Sequence, residues 1–128
     1  MIERITAPGA PNPAGPYSHA VRAGDFIYVS GQAAIDPATN TFKIGTVAEE
    51  TRQTLENIRS ILSAAGAEMT DVVKCSVYLA DIRDFAEMNK VYAEFFGNAK
   101  PARTTVNAQL PAHGLKVEID CVAYKPIG

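Results

Sequence analysis

Runs of basic residues, cysteines and long apolar stretches are all scarce in this sequence, and each shortage removes a class of protein. Lysine and arginine number 12 against 14 aspartates and glutamates, a formal net charge of −2. No basic run occurs that could neutralise successive phosphates, so a nucleic-acid partner is not expected. Only two cysteines are present, Cys75 and Cys121. They lie far apart, each inside an apolar alternating run, and are expected to be buried reduced thiols acting as small hydrophobes. With no CxxC and no paired histidines, no metal site is expected. No apolar stretch is long enough to span a bilayer, and MIERITAPGAP has no basic segment followed by an apolar stretch and a small-residue cleavage site. A soluble, cytoplasmic protein without membrane contacts is the expectation.

What is present suits an ordered globular protein. Of the 128 residues 47% are hydrophobic and 20% charged, outside the composition of disordered chains. The length is that of a single domain over 1–128, able to bury one core without disulfide or metal staples.

Hydrophobic periodicity divides the chain into elements. A short strand over 2–6 leads into PGAPNPAGPY, whose four prolines forbid regular structure. SHAVRAG and DFIYVSGQ read as a hairpin turning at Ala23-Gly24-Asp25, and residues 36–45 as a turn-rich connection. Thr46 and Glu49 form a T-x-x-E capping box. Behind it Val47, Thr51, Leu55, Ile58, Leu62 and Ala65 recur at helical spacing, with Glu50, Arg52, Glu56 and Arg59 elsewhere on the wheel, until Gly66 stops the helix. VVKCSVYLA alternates Val73, Cys75, Val77 and Leu79 against Lys74, Ser76 and Tyr78, as a half-buried strand does. A second helix opens at Asp84, carries Phe85, Met88, Val91, Tyr92, Phe95 and Phe96 on a broad apolar side, and ends at Gly97. Pro101 breaks the chain before a strand from Arg103, and KVEIDCVAY is the last strand.

The last strand places Val117, Ile119, Cys121 and Ala123 on one face, which the helices are expected to cover. The other face is mixed, with Phe26, Tyr28 and Ser30, then Lys74, Ser76 and Tyr78, then Arg103, Thr105 and Asn107, then Lys116, Glu118, Asp120 and Val122. It is too apolar for a purely solvated surface and too charged for a dry core. Packing against further copies around a polar cleft would satisfy both facts, and a plain water-facing surface is the alternative.

GPYSHAV, DFIYVSGQ, DVVKCSVYLADIRDFAEMNKVYAEFF, PARTTV and KVEID together resemble the RidA family of imine deaminases, in matching order over nearly the whole chain. The resemblance implies an α+β, chorismate mutase-like fold: a six-stranded mixed sheet with two helices on one face, assembled as a homotrimer with a central barrel and intersubunit clefts. It implies hydrolysis of 2-imino acids such as 2-iminopropanoate and 2-iminobutanoate, and their enamine tautomers, to 2-keto acids and ammonia, with no cofactor. By the same resemblance Arg103 binds the substrate carboxylate, Glu118 positions the attacking water, and Tyr17, Ser30, Gly31 and Thr105 line the cleft. Many relatives carry cysteine at the position of Thr105, whose hydroxyl can still donate a hydrogen bond.

The chemistry of the residues agrees with that reading. A guanidinium offers a planar fork of donors that matches a carboxylate. An imine carbon needs only an aligned water and a group to take its proton. The alternatives are a structural ion pair of Glu118 with Lys116 or Arg103, a packing role for the Tyr17 ring, and a plain strand end at Ser30. His19 and His113 fall in turn-like surroundings, are expected to be ordinary surface residues, and receive no role. A non-catalytic binder of small carboxylates would use the same arginine without needing Glu118. A ribonuclease or translation inhibitor, an activity also attached to this family, is disfavoured by the acidic charge.

Overall fold

The computed structural model covers residues 1–128. Its elements, in chain order, are β1 (Ile2–Ile5), β2 (Ala20–Ala23), β3 (Phe26–Gln32), β4 (Ile35–Asp36), β5 (Thr41–Phe42), α1 (Val47–Ala64), β6 (Val72–Leu79), α2 (Phe85–Phe96), β7 (Ala102–Asn107) and β8 (Val117–Tyr124). Six strands form one sheet in the order β1-β2-β3-β8-β6-β7. The β6/β7 pair is parallel and the others antiparallel, which makes the sheet mixed. β4 and β5 are a small separate hairpin inside the stretch expected to be turns alone.

Local chemistry explains the element ends. In α1 the Thr46 side chain accepts the Glu49 N–H at 3.1 Å while the Glu49 carboxylate accepts the Thr46 N–H at 2.9 Å, so two otherwise orphaned donors are satisfied at once. The β2/β3 hairpin turns at Gly24, whose φ of +61° is disfavoured for residues carrying a Cβ. Between β6 and β7, parallel pairing requires a crossover, and α2 supplies it.

Both helices lie on one sheet face. Leu55, Ile58, Ile61 and Leu62 of α1 and Met88, Tyr92 and Phe96 of α2 join Cys75, Val77, Val117, Ile119 and Cys121 in a single core cluster. Cys75 and Cys121 are direct cross-strand neighbours, buried and unbonded. Burial pushes the Cys75 thiol up to about 11, so it is a neutral packing group at physiological pH.

Two expectations fail on register and burial. A bulge between Val72 and Lys74 shifts the pairing with β8, so Val72 is buried at 3% exposure and Val73, expected inside with Cys75, is 44% exposed. Glu50, expected on the solvated side of α1, is fully buried. Its carboxylate accepts the Lys116 N–H at 2.8 Å, the Lys116 ammonium at 3.3 Å and the Gly45 N–H at 3.2 Å. A buried carboxylate survives only when partnered in this way, and here it ties α1 to the chain entering β8. Lys116 is thereby taken out of the open-face set in which it was expected. No helix is long and apolar enough to cross a membrane.

Candidate active site

Glu118 stands on β8 with its side chain on the face away from the helices, together with Asp120 and opposite Tyr78 of β6. It makes no ion pair with Lys116, which is engaged by Glu50, nor with Arg103. Burial, with the neighbouring Asp120 carboxylate adding to it, raises Glu118 above the usual glutamate range. A free carboxylate that holds its proton more tightly than usual is a stronger proton acceptor once ionised.

A cleft of ≈ 120 Å³ surrounds this carboxylate, lined among others by Tyr17, His19, Gly31, Gln32, Leu115 and Glu118. A water occupies about 30 Å³ of liquid, so the space suits a molecule of a few heavy atoms rather than a polymer. Gly31 leaves the space that the carboxylate fills, because a Cβ there would lie 2.6 Å from Glu118 Oε2. It sits within the irregular stretch of the β3/β8 pairing between Val29 and Gln32.

Ser30 does more than end its strand. Its hydroxyl donates to the Ser18 carbonyl at 2.6 Å and its N–H to the His19 carbonyl at 3.0 Å, so it anchors the segment that carries Tyr17. The Tyr17 ring is 47% exposed, and its hydroxyl accepts the Ala14 N–H at 3.1 Å. Tyr17, Gly31 and Glu118 therefore line one cleft, while Ser30, expected to line it, stands beside it as an anchor for the Tyr17 segment.

Arg103 and Thr105 lie elsewhere, against expectation. In the parallel β6/β7 register Arg103 is opposite Cys75 and Thr105 opposite Val77, and both partners point into the helix-covered core. Arg103 therefore shares the helix side of the sheet, not the face of Glu118. At this sheet edge its guanidinium rests over two aromatic rings of α2, 4.7 Å from the Tyr92 centroid and 5.4 Å from that of Phe85. Such stacking holds the planar group while leaving its N–H edge free, and no carboxylate of the chain pairs with it. The faces expected to hold Thr105 and Asn107 are reversed with it, and Thr104, Val106 and Ala102 occupy the open side. There Thr104 accepts from Lys74 at 2.8 Å.

Sequence reasoning also passed over Phe85, Asn89 and Tyr92, which follow one another at four- and three-residue spacing along α2. That spacing puts Asn89 on the stripe that receives Arg103, and its buried Oδ1 has no partner. A polar residue interrupting an apolar helix face was the available signal. His19 was likewise missed, since it is buried at 3% exposure rather than lying on the surface. His113 is exposed, as expected. No group of three or more His, Cys, Asp or Glu is placed to hold a metal ion.

A family model described as Endoribonuclease L-PSP matches residues 7–125. A RutC family protein of Pyrococcus horikoshii is 49% identical over 125 residues, covering 98% of this chain and 99% of that one. The 2-iminobutanoate/2-iminopropanoate deaminase of Bos taurus is 45% identical over 121 residues, covering 94% of this chain and 88% of the relative. Among solved structures, RidA from an Antarctic Psychrobacter superposes with a TM-score of 0.90 at 39% identity, covering 95% of this chain and 98% of that one.

Proposed function

Since the chain belongs to the RidA family, we propose that it hydrolyses reactive 2-imino acids and their enamine tautomers, such as 2-iminopropanoate and 2-iminobutanoate, to 2-keto acids and ammonia. The observation that carries the reading is the placement of Glu118 and Arg103. Each lacks a charged partner, and they lie on opposite faces of one sheet. A working site then requires two copies, one supplying the cleft with Tyr17, Gly31 and Glu118, the next supplying Arg103 and Thr105. The mixed open face, where Phe26, Tyr28, Val106 and Tyr124 are each at least 40% exposed, is the surface such an assembly would cover. A closed homotrimer is the arrangement proposed, in the cytoplasm and with no cofactor.

The chemistry follows from these positions. Arg103 takes the substrate carboxylate in two parallel N–H···O bonds, and the Thr105 hydroxyl donates beside it. Glu118 accepts a proton from water as the water oxygen bonds to the imine carbon. The C=N electron pair moves onto nitrogen, which takes up a proton. Glu118 having returned its first proton to that nitrogen, the carbinolamine collapses as its hydroxyl proton passes by way of Glu118 to the amine, the C=O bond forms, the C–N bond breaks, and a keto acid and ammonia are released.

Generating 2-iminopropanoate in situ with an amino-acid oxidase and following its decay tests the proposal. Decay should quicken in proportion to added protein, and unchanged decay would overturn it. Carboxylate binding without turnover would favour the non-catalytic binder. The ribonuclease suggested by the family model's description has against it the net charge of −2 and the absence of a basic run. A sharper check lies at Gly31. Gly31→Ala should push the Glu118 carboxylate aside, lowering turnover by about 10²-fold. The displaced atoms end a flexible side chain, so the melting temperature should hardly move.

A further inference from the structure

We propose that His19 is a positioning residue that holds the proline-rich wall of the cleft in place against Glu118, an inference that rests on the deaminase reading of that cleft. The ring of His19 is buried and uses both nitrogens on backbone groups of the loop that precedes it. Nδ1 accepts the Ala7 N–H at 2.9 Å, and Nε2–H donates to the Pro11 carbonyl at 2.7 Å. Since a donor faces Nδ1 and an acceptor faces Nε2, the pair of bonds selects the neutral tautomer protonated on Nε2.

The loop needs such a clamp because it cannot hold itself. Pro8, Pro11, Pro13 and Pro16 have no N–H, and within residues 7–17 the only backbone–backbone bonds are Ala10–Ala7 and Tyr17–Gly15, with the Ala14 N–H held by the Tyr17 hydroxyl and the Asn12 N–H by Asn40 Oδ1. Yet Pro11, Asn12, Pro13, Ala14 and Tyr17 all line the cleft that contains Gly31 and Glu118. The backbone of His19 is itself fixed to β3, since the Ser30 N–H donates to its carbonyl. A continuous path thus runs from the strand beside Glu118, through the His19 ring, to the wall that carries Tyr17. Although His19 is among the residues that line the cleft, both ring nitrogens are spent on the loop, so its effect on substrate runs through the residues it holds.

The test compares His19→Leu, which loses both bonds, with His19→Gln, whose amide can accept from Ala7 and donate to Pro11. Steady-state kinetics on an in-situ imino acid are measured beside hydrogen exchange over residues 7–17. His19→Leu should raise KM about tenfold with a smaller fall in kcat and should speed exchange at the Ala7 amide. His19→Gln should restore both to within about threefold of the parent. A purely structural histidine would lower the active fraction, so that kcat falls while KM stays put, and that pattern overturns the proposal. So does a glutamine variant no better than leucine, or unchanged exchange at Ala7. Should His19→Leu fail to fold, ring 15N shifts of the parent protein decide, since a proton on Nδ1 at neutral pH would exclude the clamp. If the parent protein shows no deaminase activity, the functional reading fails on its own, and exchange still reports whether the clamp exists.

Discussion

Arg103→Ala and Glu118→Gln should each be nearly inactive alone and should recover activity when the two variants are unfolded together and reassembled. Removing the guanidinium forfeits two charge-assisted hydrogen bonds worth ~1.5–3 kcal/mol each, or roughly 10²-fold or more in kcat/KM. Removing the base forfeits roughly 10²- to 10⁴-fold in turnover. Within one chain the two groups stand on opposite sheet faces, so under the proposed arrangement each site draws them from different copies. Random mixing in a ring of like interfaces then leaves about a quarter of the sites with both groups intact. Activity near that fraction of the parent, measured against each variant reassembled alone, is the expected result. No recovery in verified mixed oligomers would place both groups within one chain's site and refute the two-copy arrangement.

The second large effect concerns pH. Burial, with the Asp120 carboxylate adding to it, holds Glu118 above the usual glutamate range. As the base it must be ionised, so kcat/KM should fall on the acid side with a midpoint above the ~4.3 of a free glutamate. Asp120→Asn removes the second cause and should move that midpoint to lower pH, while Glu118→Gln should abolish the acid limb together with most of the turnover. The same group makes an opposite contribution to stability. Its folded-state pKa lies above the unfolded one, so its contribution is most favourable below the ordinary glutamate range and is lost as pH rises through the raised folded value. At pH 7, well above the ordinary glutamate value, the buried carboxyl weakens the fold, and Glu118→Gln should melt at a higher temperature than the parent. Thermal melts at pH 4 and pH 7 check the sign, because the advantage should shrink at the lower pH. An equal or lower melting temperature at pH 7 would mean that Glu118 has a favourable structural role.

Elements whose signals are local were legible from the residues. The capping box at Thr46 and Glu49, the turn at Gly24, the breaks at Gly66 and Gly97, and the alternation of Val117, Ile119, Cys121 and Ala123 all appear where expected. Each depends on contacts within a few residues or on a strict two-residue period. The misplacements share a different origin. Strand β7 has no apolar alternation to set its phase, and a strand shifted by one residue exchanges its faces. Its phase comes instead from the short turn at Gly97–Ala99 and the left-handed Lys100, which align it beside β6 with Arg103 against Cys75. Val73 moved outward for a comparable reason, through a bulge that no residue pattern announces. Glu50 looks like a surface residue because Lys116, the partner that makes its burial tolerable, is distant in the chain, and His19 because its partners Ala7 and Pro11 lie in an irregular loop whose path no periodicity gives.

By itself, then, the sequence determined most of the elements, the helix-covered face, the family and the residues proposed to carry the chemistry. Local hydrogen bonding, periodicity and motif spacing are properties of neighbouring residues. Only the tertiary structure decided where those residues go. Pairing register placed Arg103 over the rings of Phe85 and Tyr92 and Glu118 in the cleft beside Gly31, on opposite faces of the same sheet, because register depends on how distant segments meet.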